Sequence, residues 1–234
     1  MHWFYSNSID GDHFSTDAEE SRHISRVLRL VPDDQVIFTD GAGHRFICRL
    51  LDNNPRECRF EVEEKHFTAA PPQRRNHIAV APTKNIARFE WFLEKATEIG
   101  VGTITPLQCK HSERVRINSD RLRKILISAI KQSQQTWLPV LGELATFDEY
   151  TGNVNDNTQK LLAYVSDEPH RLLFDAAERG KEIAVLIGPE GDFSNDEILL
   201  AQQRGYEPIS LGENRLRTET AALVACHILA LKNR

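Results

Sequence analysis

The sequence predicts an α/β protein in two parts: a small β-rich module, then a mostly parallel sheet with helices on both faces. Three observations carry that expectation. Short strand-like segments crowd residues 35–66, adjacent prolines interrupt the chain at residue 71, and from residue 77 strand-like and helix-like segments alternate to the end.

Taken in order, Asp17 to Leu30 reads as a short helix. Ile24, Val27 and Leu28 share one side of it, and Arg22, Arg26 and Arg29 fall at i, i+4 and i+7 on another. Pro32 stops it. QVIFTD, HRFICRLL and ECRFEVEEKHF then read as strands. The first two are joined by Asp40-Gly41-Ala42-Gly43, where a glycine supplies the positive φ of a tight hairpin, and the last two are parted by Asn53-Asn54-Pro55. Ala69-Ala70-Pro71-Pro72-Gln73-Arg74-Arg75 is the clearest linker, because adjacent prolines stiffen the chain and exclude a central strand. The domain boundary is expected there, giving domains 1–70 and 71–234.

Beyond the linker come HIAVA (77–81), a helix from about Asn85 to Ile99, TITPLQ (103–108), and a helix from about Asp120 to Ser133. LLAYV (161–165), a short helix near 171–178, IAVLI (183–187), a helix over 195–204, EPISL (207–211) and a last helix from about Thr218 to Leu231 complete the series. Such alternation joins parallel strands through helical crossovers. In the first of these helices Ile86, Phe89, Leu93, Ala96 and Ile99 repeat at helical spacing, and Gly100 is a natural residue to end it.

Composition narrows the function classes. Of 234 residues, 40% are apolar and 27% charged, a poor fit to a disordered or a membrane-embedded chain. No apolar run approaches the roughly 18 residues that span a bilayer, and MHWFYSNSIDGD lacks the basic flank and apolar stretch of a signal peptide. A cytoplasmic protein that meets no membrane is the expectation. Cys48, Cys58, Cys109 and Cys226 lie far apart with no CxxC, and the nine histidines include no HxxxH or HExxH, so neither a disulfide framework nor a metal centre is expected. The net charge of -5 conceals a basic middle: residues 76–145 hold 10 basic and 6 acidic side chains. Lys110, Arg114, Arg116, Arg121, Arg123, Lys124 and Lys131 face only Glu113 and Asp120 there. That cluster suits either a solvated helix face or a nucleic-acid backbone.

Ligands of open parallel sheets bind beyond the carboxyl ends of the strands. Two loops in such positions stand out. Ile187-Gly188-Pro189-Glu190-Gly191-Asp192-Phe193 precedes a helix whose start is marked by Ser194 and Glu197 at capping-box spacing. With no lysine and an acidic centre, it suits ribose hydroxyls or an amino group better than phosphate. Leu211-Gly212-Glu213-Asn214-Arg215-Leu216-Arg217-Thr218-Glu219-Thr220-Ala221-Ala222 runs into the last helix, with Thr218 as its expected N-cap and free N–H groups able to hold a carboxylate. Read alone, each loop is equally an ordinary strand-to-helix turn.

Together, GPEGDFSNDE and LGENRLRTETAALVA resemble the second and third cofactor motifs of the SPOUT methyltransferases, specifically the bacterial family that methylates N3 of a uridine in 16S ribosomal RNA. HISRVLRL, Lys84 with the helix through EKATEIGV, ITPLQCKHSER and AIKQSQQTWLP stand in the family's order, so the resemblance spans nearly the whole chain. It implies a PUA-like RNA-binding β-barrel, a mostly parallel α/β domain whose end is threaded into a trefoil knot, a homodimer, and 16S rRNA in the assembled 30S subunit as partner. It also implies S-adenosyl-L-methionine bent in a pocket of three loops, the first near Tyr164 and Val165. Carried over by position, Ile187, Gly188, Pro189, Glu190 and Gly191 line the adenosine. Leu211, Gly212, Leu216, Arg217, Thr218, Thr220 and Ala221 enclose the rest.

N3 methylation needs the N3 proton removed and charge on O2 and O4 stabilised. Arg217, a rigid donor fork, is the first candidate to hold the uracil oxygens or the RNA backbone. Glu190 either accepts the N3 proton or binds the cofactor. Arg22, His23, Arg26, Arg29, Lys84, Lys110, Arg114 and Arg116 are the candidates to grip RNA around a flipped uridine. The sequence departs from the family pattern at Asp192, where a second glycine is usual, at Trp3, where arginine is usual, and at Thr136-Trp137, which replaces an arginine-containing stretch. The alternatives are methylation of a ribose 2′-hydroxyl and a non-catalytic RNA-binding assembly factor.

Overall fold

The computed structural model describes residues 1–166 and 168–233, and packing divides them into two units. Met1–Ala70 group with Ile130–Leu138, and Pro71–Ala129 group with the described residues from Pro139 onward.

The first unit holds β1 (Trp3–Tyr5), β2 (His13–Ser15), α1 (Ala18–Arg22), β3 (Gln35–Thr39), β4 (His44–Asp52) and β5 (Arg59–Phe67). Its sheet runs β1-β3-β4-β5-β2, with β1 parallel to β3 and the other pairs antiparallel. Side chains alternate between the faces of a strand, which sends Val36, Phe38, Phe46, Cys48, Leu50 and Phe60 to one side. There they meet Phe4 and Ile24, and the rings of Phe4, Phe38, Phe14 and Phe60 lie 4.9–5.5 Å apart in sequence. Each fully buried phenylalanine contributes about 2 to 3 kcal/mol of transfer free energy.

The helix expected from Asp17 to Leu30 is shorter and changes pitch. Asp17 caps it by accepting the N–H groups of Glu19 and Glu20, but after Arg22 the chain turns as a π-helix over His23–Val27. The wider turn leaves Ile24 buried and rotates Val27 into solvent, 68% exposed, which corrects its expected place on the apolar side. Arg29 lies beyond the helix with a left-handed φ of 56°, so it does not continue the face carrying Arg22 and Arg26.

Residues 136–138 dock on the hairpin between β3 and β4. Gly43 N–H donates to Thr136 O (2.8 Å), Leu138 N–H to Gly41 O (2.9 Å), and Trp137 Nε1 to Thr68 O (2.9 Å). A Cβ on Gly43, whose φ is 98°, would lie 2.6 Å from the Trp137 ring. Glycine is needed there for both conformation and space.

In the second unit the linker forms a 3₁₀ turn at Pro72–Arg75 and leads to β6 (Asn76–Val80), α2 (Ile86–Ile99), β7 (Thr103–Gln108), α3 (Ser119–Ser133), β8 (Val140–Leu141), β9 (Ala145–Thr146) and α4 (Phe147–Asn153). The last turn of α3 belongs to the first unit. There follow β10 (Gln159–Ala163), β11 (Arg171–Leu172), α5 (Leu173–Ala176), β12 (Ile183–Ile187), α6 (Asn195–Gln203), β13 (Glu207–Ser210) and α7 (Thr218–Lys232). Every pair in this sheet is parallel, in the order β11-β13-β10-β12-β6-β7-β8, with β9 also beside β7. All five residues of β12 are buried, as a strand with neighbours on both edges and cover on both faces requires. α7 follows β13 yet packs against α2, β6 and β12, so the chain crosses back over β10 to reach them. No helix among the described residues is long and apolar enough to cross a membrane.

On β6, His77 sits with Nε2 2.8 Å from the Thr105 hydroxyl and Nδ1 3.2 Å from the Tyr150 hydroxyl. Burial disfavours the imidazolium and pushes its pKa down to about 4. The unfolded chain then takes up a proton below about pH 6.5 that the native state refuses. The contribution of His77 is therefore fully present above that pH and is lost as pH falls toward 4, by on the order of 2 kcal/mol. Chemical denaturation at pH 7 and pH 4.5 should show a smaller acid loss in H77N than in the parent; equal losses would refute the assignment.

Candidate cofactor and substrate site

β10, β12 and β13 end side by side, because Ala163 is in register with Ile187 on one neighbour and with Ile209 on the other. The three loops beyond these ends enclose a cleft of about 850 Å³. Its wall takes in Tyr164 and Val165 from the first loop, Gly188, Pro189, Glu190 and Asp192 from the second, and Leu211 to Thr218 from the third. Ile187 and Ala221 line it as well, whereas Gly191 and Thr220 stand off the wall.

The second loop is held from several directions. Ser194 and Glu197 form the reciprocal capping box that starts α6. Asp192 adopts a left-handed φ of 59°, a conformation that glycine takes freely and aspartate tolerates. Its Oδ2 accepts the Val165 N–H (2.9 Å) and its Oδ1 the Phe193 N–H (2.8 Å), so this carboxylate ties the first loop to the second. His111 Nδ1 lies 3.1 Å from Gly191 O and 3.0 Å from Asp192 O, a donor position for both carbonyls. Lys84 N–H donates to Glu190 Oε1 (3.0 Å), and Lys110 N–H donates to Glu197 Oε1 (2.8 Å).

In the third loop Gly212, at φ 133°, exchanges hydrogen bonds with the Ser210 hydroxyl. The N-cap of α7 is Arg217 and not Thr218, which is the first helical residue. Arg217 has extended backbone and makes no side-chain cap, so its exposed guanidinium stands free among the described residues at the positive end of the helix. Behind it Glu219 is buried, with Oε1 3.8 Å from Arg88 Nε and Oε2 without a partner.

The candidate RNA-gripping residues divide between the units. In the first, Arg22, Arg26 and Arg29 are exposed and unpaired among the described residues, and His23 Nδ1 lies 3.2 Å from a Glu20 carboxylate oxygen. In the second, Lys84 pairs with Glu113 (2.8 Å), which raises the pKa of its ammonium, and Lys110 pairs with Asp196 (3.1 Å). Arg116 is exposed and unpaired among the described residues, whereas Arg114 spends its guanidinium on the carbonyls of Thr83 and Lys84.

An RNA methyltransferase domain model matches residues 70–230, and an RNA methyltransferase PUA domain model matches residues 16–63. The chain belongs to this RNA methyltransferase family. A crystal structure of a probable rRNA-methyltransferase from Porphyromonas gingivalis is 38% identical, covers 97% of this chain and 95% of its own, and superposes with a TM-score of 0.91. A putative methyltransferase from Legionella pneumophila, solved with bound S-adenosylmethionine, is 26% identical over 99% of this chain and 97% of its own, with a TM-score of 0.88. The ribosomal RNA small subunit methyltransferase E of Rickettsia conorii is 28% identical over 87% of this chain and 83% of its own length.

Sequence reasoning about this methyltransferase missed part of the cleft wall. Glu168, Pro169 and His170 extend the first loop, with the His170 ring 5.1 Å from Tyr164 and its Nε2 buried without a partner. No periodicity marks that stretch; only its place after a strand could have drawn attention to it. His111 was overlooked because its neighbours, Lys110 and Arg114, read as an RNA-facing charge cluster.

Proposed function

We propose that this methyltransferase transfers the methyl group of S-adenosyl-L-methionine to N3 of a uridine in the 16S ribosomal RNA of the small subunit. The observation that carries the reading is a single cleft, at three parallel strand ends, that brings together the glycine loop with Glu190 and the third loop with Arg217. Relatives named ribosomal RNA small subunit methyltransferase E support the substrate.

The cleft suits the cofactor. Its volume lies within the range of small-molecule sites, and the carboxylates of Glu168, Glu190, Asp192 and Glu213 complement a ligand bearing a sulfonium and an ammonium. A Cβ on Gly188 would stand 3.2 Å from Asp192 Oδ1 and 3.3 Å from the Phe193 ring, so a side chain there would disturb the latch that shapes the loop. Tyr164, Val165, Ile187, Gly188, Pro189, Glu190, Gly191, Leu211, Gly212, Leu216, Arg217, Thr218, Thr220 and Ala221 are the residues we assign to it, Gly191 and Thr220 only by their place in the two loop motifs. When bound, the cofactor supplies an electrophilic methyl group.

The protein's part is to position and to handle charge. Arg217 is free to donate to uracil oxygens and stabilise the negative charge that develops there. Glu190 keeps one carboxylate oxygen on the Lys84 amide and has the other for the N3 proton or for ribose hydroxyls. The N-terminal domain, residues 1–70, offers Arg22, His23, Arg26 and Arg29 to the RNA backbone. The C-terminal domain, residues 71–234, offers Lys84, Lys110 and Arg116. We also infer a homodimer, to be read from its mass in solution. The return of α7 across the sheet supports a C-terminus threaded as a trefoil knot. Labelled methyl should pass from the cofactor to 30S subunits of a strain lacking the modification and not to 50S subunits. Equal labelling of both would defeat the substrate assignment.

A further inference from the structure

We propose that Arg114 is a positioning residue that sets the aim of Glu190 through the backbone of the Thr83-Lys84 turn. The inference rests on the role given to Glu190 above. Arg114 Nε donates to Thr83 O (3.1 Å) and its Nη2 to Lys84 O (2.7 Å), so one planar fork spans two successive carbonyls. The turn it grips is otherwise firm. Thr83 is fully buried and its hydroxyl donates to Asn85 O (2.7 Å), while the Asn85 side chain accepts Ala87 N–H to start α2. From that turn the Lys84 N–H points at Glu190 Oε1 (3.0 Å). The Lys84 side chain is drawn aside by Glu113 (2.8 Å), so the contact with Glu190 is made by the backbone.

Guanidinium, carbonyl pair, amide and carboxylate thus form one chain of hydrogen bonds from a half-buried arginine to the cleft wall. A charge cluster evolved only to attract phosphate has no need of such geometry. Lysine at 114 preserves the charge but cannot span both carbonyls.

The test is a double-mutant cycle of R114A with E190A, run on cofactor affinity by calorimetry and on methyl transfer to 30S subunits, with R114K and RNA affinity measured alongside. We expect R114A and R114K each to lower cofactor affinity or transfer rate ~10-fold in the parent and less than about 2-fold in the E190A background, because the effect passes through Glu190. RNA affinity should stay close to that of the parent in both. Equal losses in the two backgrounds on both readouts, or recovery by R114K together with a fall in RNA affinity in R114A, would overturn the proposal. Should the parent bind cofactor but transfer nothing to 30S subunits, only the function proposed above falls, and the affinity arm of the cycle still decides the role of Arg114.

Discussion

R217A is expected to lower methyl transfer by roughly 100- to 1,000-fold, the loss typical of removing a donor aimed at developing negative charge. Arg217 is the N-cap of α7, has no side-chain cap bond and lines the cleft, so its removal leaves no internal partner unsatisfied. Stability should therefore stay near that of the parent, and cofactor binding should fall far less than turnover. Deprotonated uracil carries its charge on O2 and O4, so losing the cation raises the pKa of the bound N3–H. The acid limb of the pH–rate profile then moves to higher pH, and part of the lost rate returns as pH is raised. Rates measured with saturating cofactor from pH 6 to 9 decide this. A uniform loss at every pH would assign Arg217 to RNA binding and not to the uracil.

G102A is expected to destabilise the C-terminal unit strongly. A Cβ at Gly102 would lie 1.7 Å from Arg74 O and 2.4 Å from Arg74 C, so backbone must part from backbone. The crossing is fixed on both sides: Gly102 N–H donates to Asn76 O (3.2 Å), and Val140 N–H donates to Gly102 O (2.9 Å). These bonds join the start of β6, the entry to β7 and the start of β8. Overpacking at such a point costs about 3 kcal/mol or more, which for a unit of this size lowers the melting temperature by roughly 6–12 °C. Thermal unfolding checks it, and a melting temperature within about a degree of the parent would show that the chains can separate freely there.

Much of this was legible because the physical signals are local. IAVLI is a short apolar run rich in β-branched residues and ends at Gly188-Pro189, which marks it as a buried strand; Ser194 and Glu197 announce the start of α6; Gly100 ends α2 with a left-handed φ of 94°. Thr146 and Glu149 form a capping box of the same kind before α4, a signal that the same rule could have found. β1, β2, β8 and β9 span only two or three residues each, too few for any period to register, and pairing alone makes them strands. The π turn at His23–Val27 leaves Ile24 in the core and Val27 in solvent, an outcome that no spacing of apolar residues announces.

The site divides in the same way. The second and third loops were legible because their glycines and helix starts sit directly after strands. The Asp192 latch required knowing that Val165 lies across from it, 27 positions earlier in the chain. Arg114 illustrates the limit most sharply. Its charge was visible in the sequence, but its use depends on two carbonyls 30 and 31 residues away.

The most direct measurement is nucleoside mass spectrometry of 16S rRNA recovered from unmodified 30S subunits after incubation with the protein and S-adenosylmethionine. Appearance of 3-methyluridine, absent when cofactor or protein is omitted, is the result this account predicts. A 2′-O-methylated nucleoside in its place, or bound cofactor with no methylated nucleoside at all, would contradict it.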